Sequence, residues 1–420
     1  MNEDYYKRKD CRQCHSQDLS IAINLKPTPL ANDYIYEKDL KIIKKKYPLD
    51  VYFCNACKHL QLLDVVNPKK LFENYVYVSG TSPSFVSHFE TYAGAVWQLA
   101  GADSGDLVVD IGSNDGTLLK AYQALGARVS GVDPARKIAQ AATEAGIPTQ
   151  CAFFSLDIAK SIRQEIGQAR IITANNVCAH IDDLQSVIAA VSKLLTDDGV
   201  FAFEVSYLLD VLSKTLFDTI YHEHLDYHAI SPLIPFFKQH DLTVFHAERV
   251  ASHGGSIRIF AAPGESGLKP TRDLQELLGA EEAAQLFSIE TYRRFEEKIS
   301  HAGQQLRKTI ADSRKAGRRI AGYGAPAKAT TLMHQFGLGR DDMAYIVDDS
   351  PWKQGLYSPG INIPIVPASH ITSHPVDDLV VLAWNFAEPI IENNRAFLNA
   401  GGRFIIPLPE LQVVTANERS

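Results

Sequence analysis

The sequence predicts an α/β fold in three parts: a small cysteine-bearing lobe followed by two modules built on parallel sheets. Three observations predict it. Two C-x-x-C pairs stand near one end, Cys11/Cys14 and Cys54/Cys57. An apolar run enters a glycine turn and then a helical pattern at Leu107–Leu119, and the same plan returns at Arg319–Leu332. The expected boundaries are 1–72 for the lobe, 73–270 for the central module, and 271–420 for a helical linker with the last module. At 420 residues the chain is too long for one ordinary domain.

Composition is 45% apolar and 22% charged, which supplies a sizeable core. The longest apolar runs, such as Leu379–Trp384, fall far short of the ~20 residues that cross a bilayer. The start, MNEDYYKRKD, is charged and has no apolar signal region. A cytoplasmic protein without a membrane partner is expected. The net charge of −7 and the lack of a long basic run argue against nucleic acid, which is bound by Lys/Arg neutralising phosphates.

In the first lobe, Cys11-Arg-Gln-Cys14 and Cys54-Asn-Ala-Cys57 each place two sulfurs on one side of an ion. Two such turns complete the tetrahedral thiolate shell that zinc favours. Four cysteines leave no open position, so one structural Zn2+ is expected. The segment from Cys14 to Cys54 is longer than in a compact zinc ribbon and is expected to form a lobe of its own.

Phe85–Leu99 has helical periodicity and leads into the central module. Leu107–Ile111 reads as a buried strand. Gly112 lets backbone approach a ligand, and Gly116 permits tight entry to a helix. A second strand, Arg128–Val132, ends at Asp133, where an acid suits two ribose hydroxyls. The pattern is D-x-G-x-x-x-G from Asp110, with Ser113-Asn114-Asp115 inside it, and not the G-x-G-x-x-G of dinucleotide sites. It resembles motif I of S-adenosylmethionine (SAM) methyltransferases. Further strands are expected at Arg170–Val177 and Gly199–Ser206, with Asp182 capping the helix between them. Leu242–Val250 and Ser256–Ala262 read as a hairpin closing the sheet.

Thr271–Lys315 is helical and charged. The last module opens with a strand at Arg319–Gly324, a helix from Ala325 to Leu332, and a strand Met343–Asp349 ending in two acids. Strands at Leu379–Trp384 and Arg403–Pro407 follow, with a helix between. Amides of the Gly322–Ala325 turn and the helix N-terminus can bind phosphate. Lys328 opposes the helix dipole unless an anion lies beside it. Asp348 and Asp349 suit a ribose.

Between the modules lies Phe217–His228, with three histidines, two tyrosines and three acids. It reads as a base-catalysis site, a polar surface loop, or a metal site from His222, His224 and His228. In a strand those histidines share one face, but Glu223 then points away.

Nearly the whole chain resembles SAM-dependent C-methyltransferases that act on nucleotide-linked deoxysugars, the tetronitrose-pathway type. The matching pieces are the four cysteines, Tyr75-Val-Tyr-Val-Ser, Asp110-Ile-Gly-Ser-Asn-Asp-Gly-Thr, Asn176-Val-Cys-Ala-His180, Tyr221-His-Glu-His224, His253-Gly-Gly-Ser-Ile-Arg258 and Gly322-Tyr-Gly-Ala-Pro-Ala-Lys328. The resemblance implies an N-terminal zinc-binding lobe, a central class I SAM methyltransferase domain of Rossmann-like form, and a C-terminal Rossmann-like domain that grips a nucleotide diphosphate. It implies active-site roles at Tyr77, His180, Tyr221, Glu223 and His224. The expected SAM contacts are Tyr77, Asp110, Gly112, Ser113, Asn114, Asp133, Asn175 and Asn176. The expected substrate contacts are His253, Ser256, Arg258, Tyr323, Lys328, Asp348 and Asp349. Asp226 stands where such chains usually carry a small polar residue, and Ala329-Thr330 where they carry Gly-Asn.

The chemistry expected is methylation at C3 of a 4-keto-6-deoxysugar. A ketone at C4 makes the C3 proton acidic, so the protein needs a base and a donor to the enolate oxygen. His224 is the expected base, with Tyr221 and His180 as donors and Glu223 orienting another group or a sugar hydroxyl. O- or N-methylation of a related sugar, and a non-catalytic zinc- and nucleotide-binding protein, are the alternatives.

Overall fold

The computed structural model describes residues 4–72, 80 and 83–416, without the side chains of 83–85 and 253. The chain folds into two compact units that interleave in sequence. Unit 1 is 1–20, 53–208 and 225–287; unit 2 is 21–52, 209–224 and 288–420. The three consecutive parts read from the sequence are thus not the compact units. The segment between the cysteine pairs is not a lobe of its own either: residues 21–52 belong with the C-terminal module.

Unit 1 is built on a seven-stranded sheet. Its strands are β1 (Leu107–Ile111), β2 (Arg128–Val132), β3 (Thr149–Gln150), β4 (Ala169–Asn175), β5 (Leu195–Ser206), β6 (Leu242–Val250) and β7 (Ser256–Pro263). The order is β6-β7-β5-β4-β1-β2-β3. All neighbours are parallel except β7, which runs against β5 and β6. This is the sheet closed by a reversed hairpin that the sequence led us to expect of a methyltransferase. β1 is buried at all five positions, as a central parallel strand covered on both faces must be. Helix α1 (Pro83–Leu99) and α2 (Thr117–Ala124) pack Phe89, Tyr92, Val96, Leu118 and Tyr122 into one core with Val108, Ile171 and Ala202. Helix α3 (Leu184–Leu194) is capped by Asp183, whose carboxylate accepts the Ser186 N–H at 3.1 Å. Asp182, the expected cap, instead binds the guanidinium groups of Arg8 and Arg12. Helix α4 (Arg272–Ala283) ends the unit's ordered elements, and its buried Glu281 accepts from the Ile230 and Ser231 amides and the Tyr207 hydroxyl.

Unit 2 opens its C-terminal part with the long helix α5 (Ile289–Lys315), which buries Tyr292, Phe295, Ile299, Leu306 and Ile310 at three- and four-residue spacing. Each such side chain contributes about 1.5–3 kcal/mol by leaving water. A six-stranded sheet follows: β8 (Ile320–Tyr323), β9 (Ile346–Val347), β10 (Ile365–Val366), β11 (Asp378–Val381), β12 (Arg403–Ile406) and β13 (Gln412–Val414), in the order β10-β9-β8-β11-β12-β13. All pairs are parallel except β12 with β13. Helix α6 (Ala327–Phe336) follows the glycine turn after β8. No described helix is long and apolar enough to cross a membrane.

Candidate active site

In unit 1 the glycine turn after β1 is shaped by three residues in the left-handed region, Gly112, Asn114 and Gly116. A Cβ on Gly112 would collide with the Val177 side chain. Asp115 caps α2 through the Thr117 amide and hydroxyl. Asp133, at the end of β2, accepts the Asn114 N–H at 2.9 Å and the Ala135 N–H at 2.8 Å, and burial pushes its carboxyl above the ordinary range. Asp110, nearly buried in β1, accepts from the Thr173 hydroxyl at 2.6 Å, and desolvation raises it to about 7. The Ser113 hydroxyl is buried and among the described residues has no hydrogen-bond partner. A polar atom left so at a concave glycine turn is suited to a bound ligand. Asn175 and Asn176 lie at the C-terminal end of β4, Asn176 in the left-handed region. Half-buried His180 stacks on Phe72 with centroids 5.3 Å apart, and desolvation lowers it to about 4, so its ring is neutral. Tyr77 lies outside the described residues.

The four cysteine sulfurs all lie within 4.8 Å of one another, with Cys11–Cys57 and Cys14–Cys54 at 3.5 Å. Four thiolates about 2.3 Å from one tetrahedral ion stand about 3.8 Å apart, so the set fits zinc and has no fifth donor. No other cluster of potential ligands is found among the described residues. The three histidines of the central segment do not make one: His222 donates to the Pro48 carbonyl in unit 2, while buried His228 is in unit 1. Asp226 is buried between Arg12, at 3.6 Å, and His59.

Two expected substrate contacts are committed within unit 1. Arg258 gives its guanidinium to Glu204 at 2.8 Å and to Glu248 at 2.5 Å, and lies over the Tyr92 ring. Three of its five N–H groups are thus engaged by carboxylates. Ser256 is buried and donates to the Ser252 carbonyl. Glu204 is held at about 2, since the His88 and Arg258 contacts outweigh a burial that by itself would raise it. His253's side chain is outside what is described.

In unit 2 the segment 209–224 lies against α6. Phe217 packs on Phe336, and the Thr331 hydroxyl donates to the Ile220 carbonyl at 2.8 Å. His224 Nδ1 lies 2.7 Å from the Thr219 carbonyl, which can only accept, so Nδ1 carries the proton. Nε2 is then the acceptor for the Tyr221 hydroxyl at 3.0 Å, and the two rings lie 4.1 Å apart. Glu223 is only 4% exposed and accepts from Asn32 Nδ2 at 2.8 Å; desolvation raises it to about 7.

The second glycine turn differs from expectation. The Gly324 amide donates to the Val347 carbonyl and the Ala325 amide to Asp348 at 2.6 Å, so those donors are already spent. An anion is left the N-terminus of α6. The charge that balances Lys328 comes partly from the chain: Lys328 acts on Asp218, a buried carboxyl that accepts the Trp384 N–H at 2.6 Å. Tyr323 donates to Asp349 at 3.2 Å.

Three family models match in chain order. Residues 11–72 match a "Putative zinc binding domain", 87–247 a "Methyltransferase domain", and 251–409 a "C-methyltransferase C-terminal domain". The chain is 36% identical over 407 residues to "C-methyltransferase NovU" of Streptomyces niveus, covering 97% of each. It belongs to the C-methyltransferase family. The "Ubiquinone biosynthesis O-methyltransferase" of Bordetella avium is 29% identical over 108 residues, 25% of this chain and 44% of that one. The solved PH0226 protein of Pyrococcus horikoshii matches with a TM-score of 0.37 and 15% identity, over 47% of this chain and 98% of that one.

As a C-methyltransferase, the chain is an enzyme with a zinc-binding N-terminal part and a SAM-binding central domain, and the non-catalytic alternative falls away. Unit 1 gathers Asp110, Gly112, Ser113, Asn114 and Asp133 around one turn. Unit 2 gathers Tyr221, His224 and Glu223 on one segment, with Tyr323, Lys328, Asp348 and Asp349 around the other turn. Sequence reasoning missed Asn32, Asp218 and Lys353, whose ammonium donates to the Ala325 carbonyl at 2.9 Å. Asn32 and Asp218 meet their partners across at least 166 residues of chain, which no local pattern signals.

Proposed function

We propose that this C-methyltransferase places the methyl group on C3 of a nucleotide-diphosphate-linked 4-keto-6-deoxysugar, in the cytoplasm, with His224 as the base. The observation that carries the reading is the His224 ring: Nδ1–H is tied to the Thr219 carbonyl, and Nε2 faces the Tyr221 hydroxyl. A ring held in that tautomer directs the Nε2 lone pair outward, and a phenol beside it is a ready donor. The sequence pieces that resemble nucleotide-sugar C-methyltransferases support the substrate class.

Loss of the C3 proton to His224 Nε2 leaves the C–H electron pair in the C3–C4 bond and on the C4 oxygen. Tyr221 turns its hydroxyl from Nε2 to that oxygen, which frees the lone pair and stabilises the enolate together. Bound SAM supplies an electrophilic methyl carbon. Transfer of that methyl to C3, with the carbon–sulfur bond pair passing to sulfur, would need alignment only. Asp110, Ser113, Asn114 and Asp133 would hold the adenosyl part. Glu223 would accept a sugar hydroxyl through Oε2. Lys328 and the N-terminus of α6 would meet the diphosphate, and Asp349 a ribose.

The test is methyl transfer to a panel of nucleotide-linked 4-keto sugars, with NMR of the product. A methyl on oxygen or nitrogen would overturn the reading. His224→Ala should lower kcat by ~10²–10⁴-fold while SAM binding persists. If it keeps more than about a tenth of wild-type kcat, His224 is not the base.

A further inference from the structure

The segment 21–52 lies between the two zinc-ligand pairs in sequence yet belongs to the unit that carries the catalytic segment. Three of its residues reach other parts of unit 2: Ala31 accepts from the Thr330 hydroxyl at 2.9 Å, Tyr34 donates to the Ala325 carbonyl, and Asn32 donates to Glu223 Oε1 at 2.8 Å. We propose that Asn32 is a positioning residue for the methyl transfer: its side-chain amide fixes Glu223 through Oε1 and leaves Oε2 for the substrate.

The environment of Glu223 supports this. The carboxyl is buried, and Asn32 is its one hydrogen-bond partner among the described residues. Among the described residues no salt bridge to it is found, and the titratable group that interacts with it is the Tyr34 hydroxyl from the same segment. A buried carboxylate without a cation depends on its few donors both for orientation and for ionisation. Desolvation raises Glu223 to about 7, and the Asn32 amide opposes that rise. Asn32 itself is exposed while the carboxyl it holds is buried. Anchored at Ala31 and Tyr34, its backbone is fixed on both sides.

The proposal rests on the reading of Glu223 as a group that contacts substrate. The test is the pH profile of kcat/KM for Asn32→Ala, Glu223→Gln and the double variant, with SAM binding and thermal unfolding as controls for folding. Asn32→Ala should move the acid limb up by about one pH unit and lower kcat/KM at pH 7 about tenfold. Glu223→Gln should leave only the limb that protonation of the base His224 sets, and adding Asn32→Ala to it should change nothing further. An unmoved limb in Asn32→Ala overturns the role of Asn32 while leaving Glu223's intact. A wild-type limb in Glu223→Gln overturns the reading of Glu223, and the role of Asn32 with it.

Discussion

The glycine turn after β1 and the one after β8 use the same hydrogen-bonding device. In each, the acid that ends the next strand accepts one amide from the turn and one from two residues further on. Asp133 takes the Asn114 and Ala135 amides at 2.9 and 2.8 Å; Asp348 takes those of Ala325 and Ser350 at 2.6 and 2.9 Å. The difference is charge. Residues 112–119 hold no Lys or Arg, and Asp110 and Asp133 lie beneath them. The second turn has Lys328 in the first turn of α6 and Lys353 3.8 Å from Asp348. One backbone arrangement thus carries two opposite charge settings. An acidic turn without cations suits a sulfonium such as SAM, and a turn flanked by lysines suits a diphosphate.

Replacing the two glycines should separate the turns most sharply. Gly112→Val and Gly324→Val each put a side chain at positive φ, against Val177 and Ala383 respectively. Gly112→Val should weaken SAM by at least about 100-fold with nucleotide diphosphate still bound, and Gly324→Val should do the reverse. Calorimetry with each ligand in turn reads the outcome; loss of both ligands in either variant would break the comparison. Next in size is Lys328→Met. It should raise KM for the nucleotide sugar by about 10–30-fold and leave SAM affinity as it was, a loss of one charge-assisted contact. An unchanged KM would mean that the charge difference between the turns does not select the ligand.

The smallest effect concerns a likeness between the modules. Each buries one carboxyl raised to about 7, Asp110 in unit 1 and Glu223 in unit 2. A carboxyl raised on folding contributes stability that is fully present below its unfolded value, about 4 to 4.5, and is lost as pH rises to about 7. Asp110→Asn and Glu223→Gln should each flatten that decline, raising Tm at pH 8 by a few degrees relative to wild type and leaving it near wild type at pH 4. Melting curves across pH 4–8 check this, and a decline unchanged in both variants would refute it.

Much of the frame was legible in the sequence. β1 and β2 have the bounds expected from the sequence, because their Val, Leu and Ile positions mark buried strands even though Asp110, Arg128 and Ser130 interrupt them. The four cysteines announced their site by spacing alone. Asp182 and Asp183 show the finer limit: either can cap α3, and tertiary ion pairs with Arg8 and Arg12 claim the first. The amides of the second turn read as free donors because nothing local reveals that Asp348 folds back on one of them. That residues 21–52 cluster with the C-terminal module was hidden for the same reason. Their partners Glu223, Ala325 and Thr330 lie some 190 to 300 residues away.

That last segment has a consequence in time. Synthesis runs from the N-terminus at about 5–20 residues per second. After Cys57 has been made, β12 of unit 2 is completed only about 20 to 70 s later. Throughout that interval the segment carrying Asn32 has no module to pack on, while both cysteine pairs that bracket it already exist. A zinc ion held by the four thiolates would close the segment into a loop, which lowers the entropic cost of docking it once the rest of unit 2 exists.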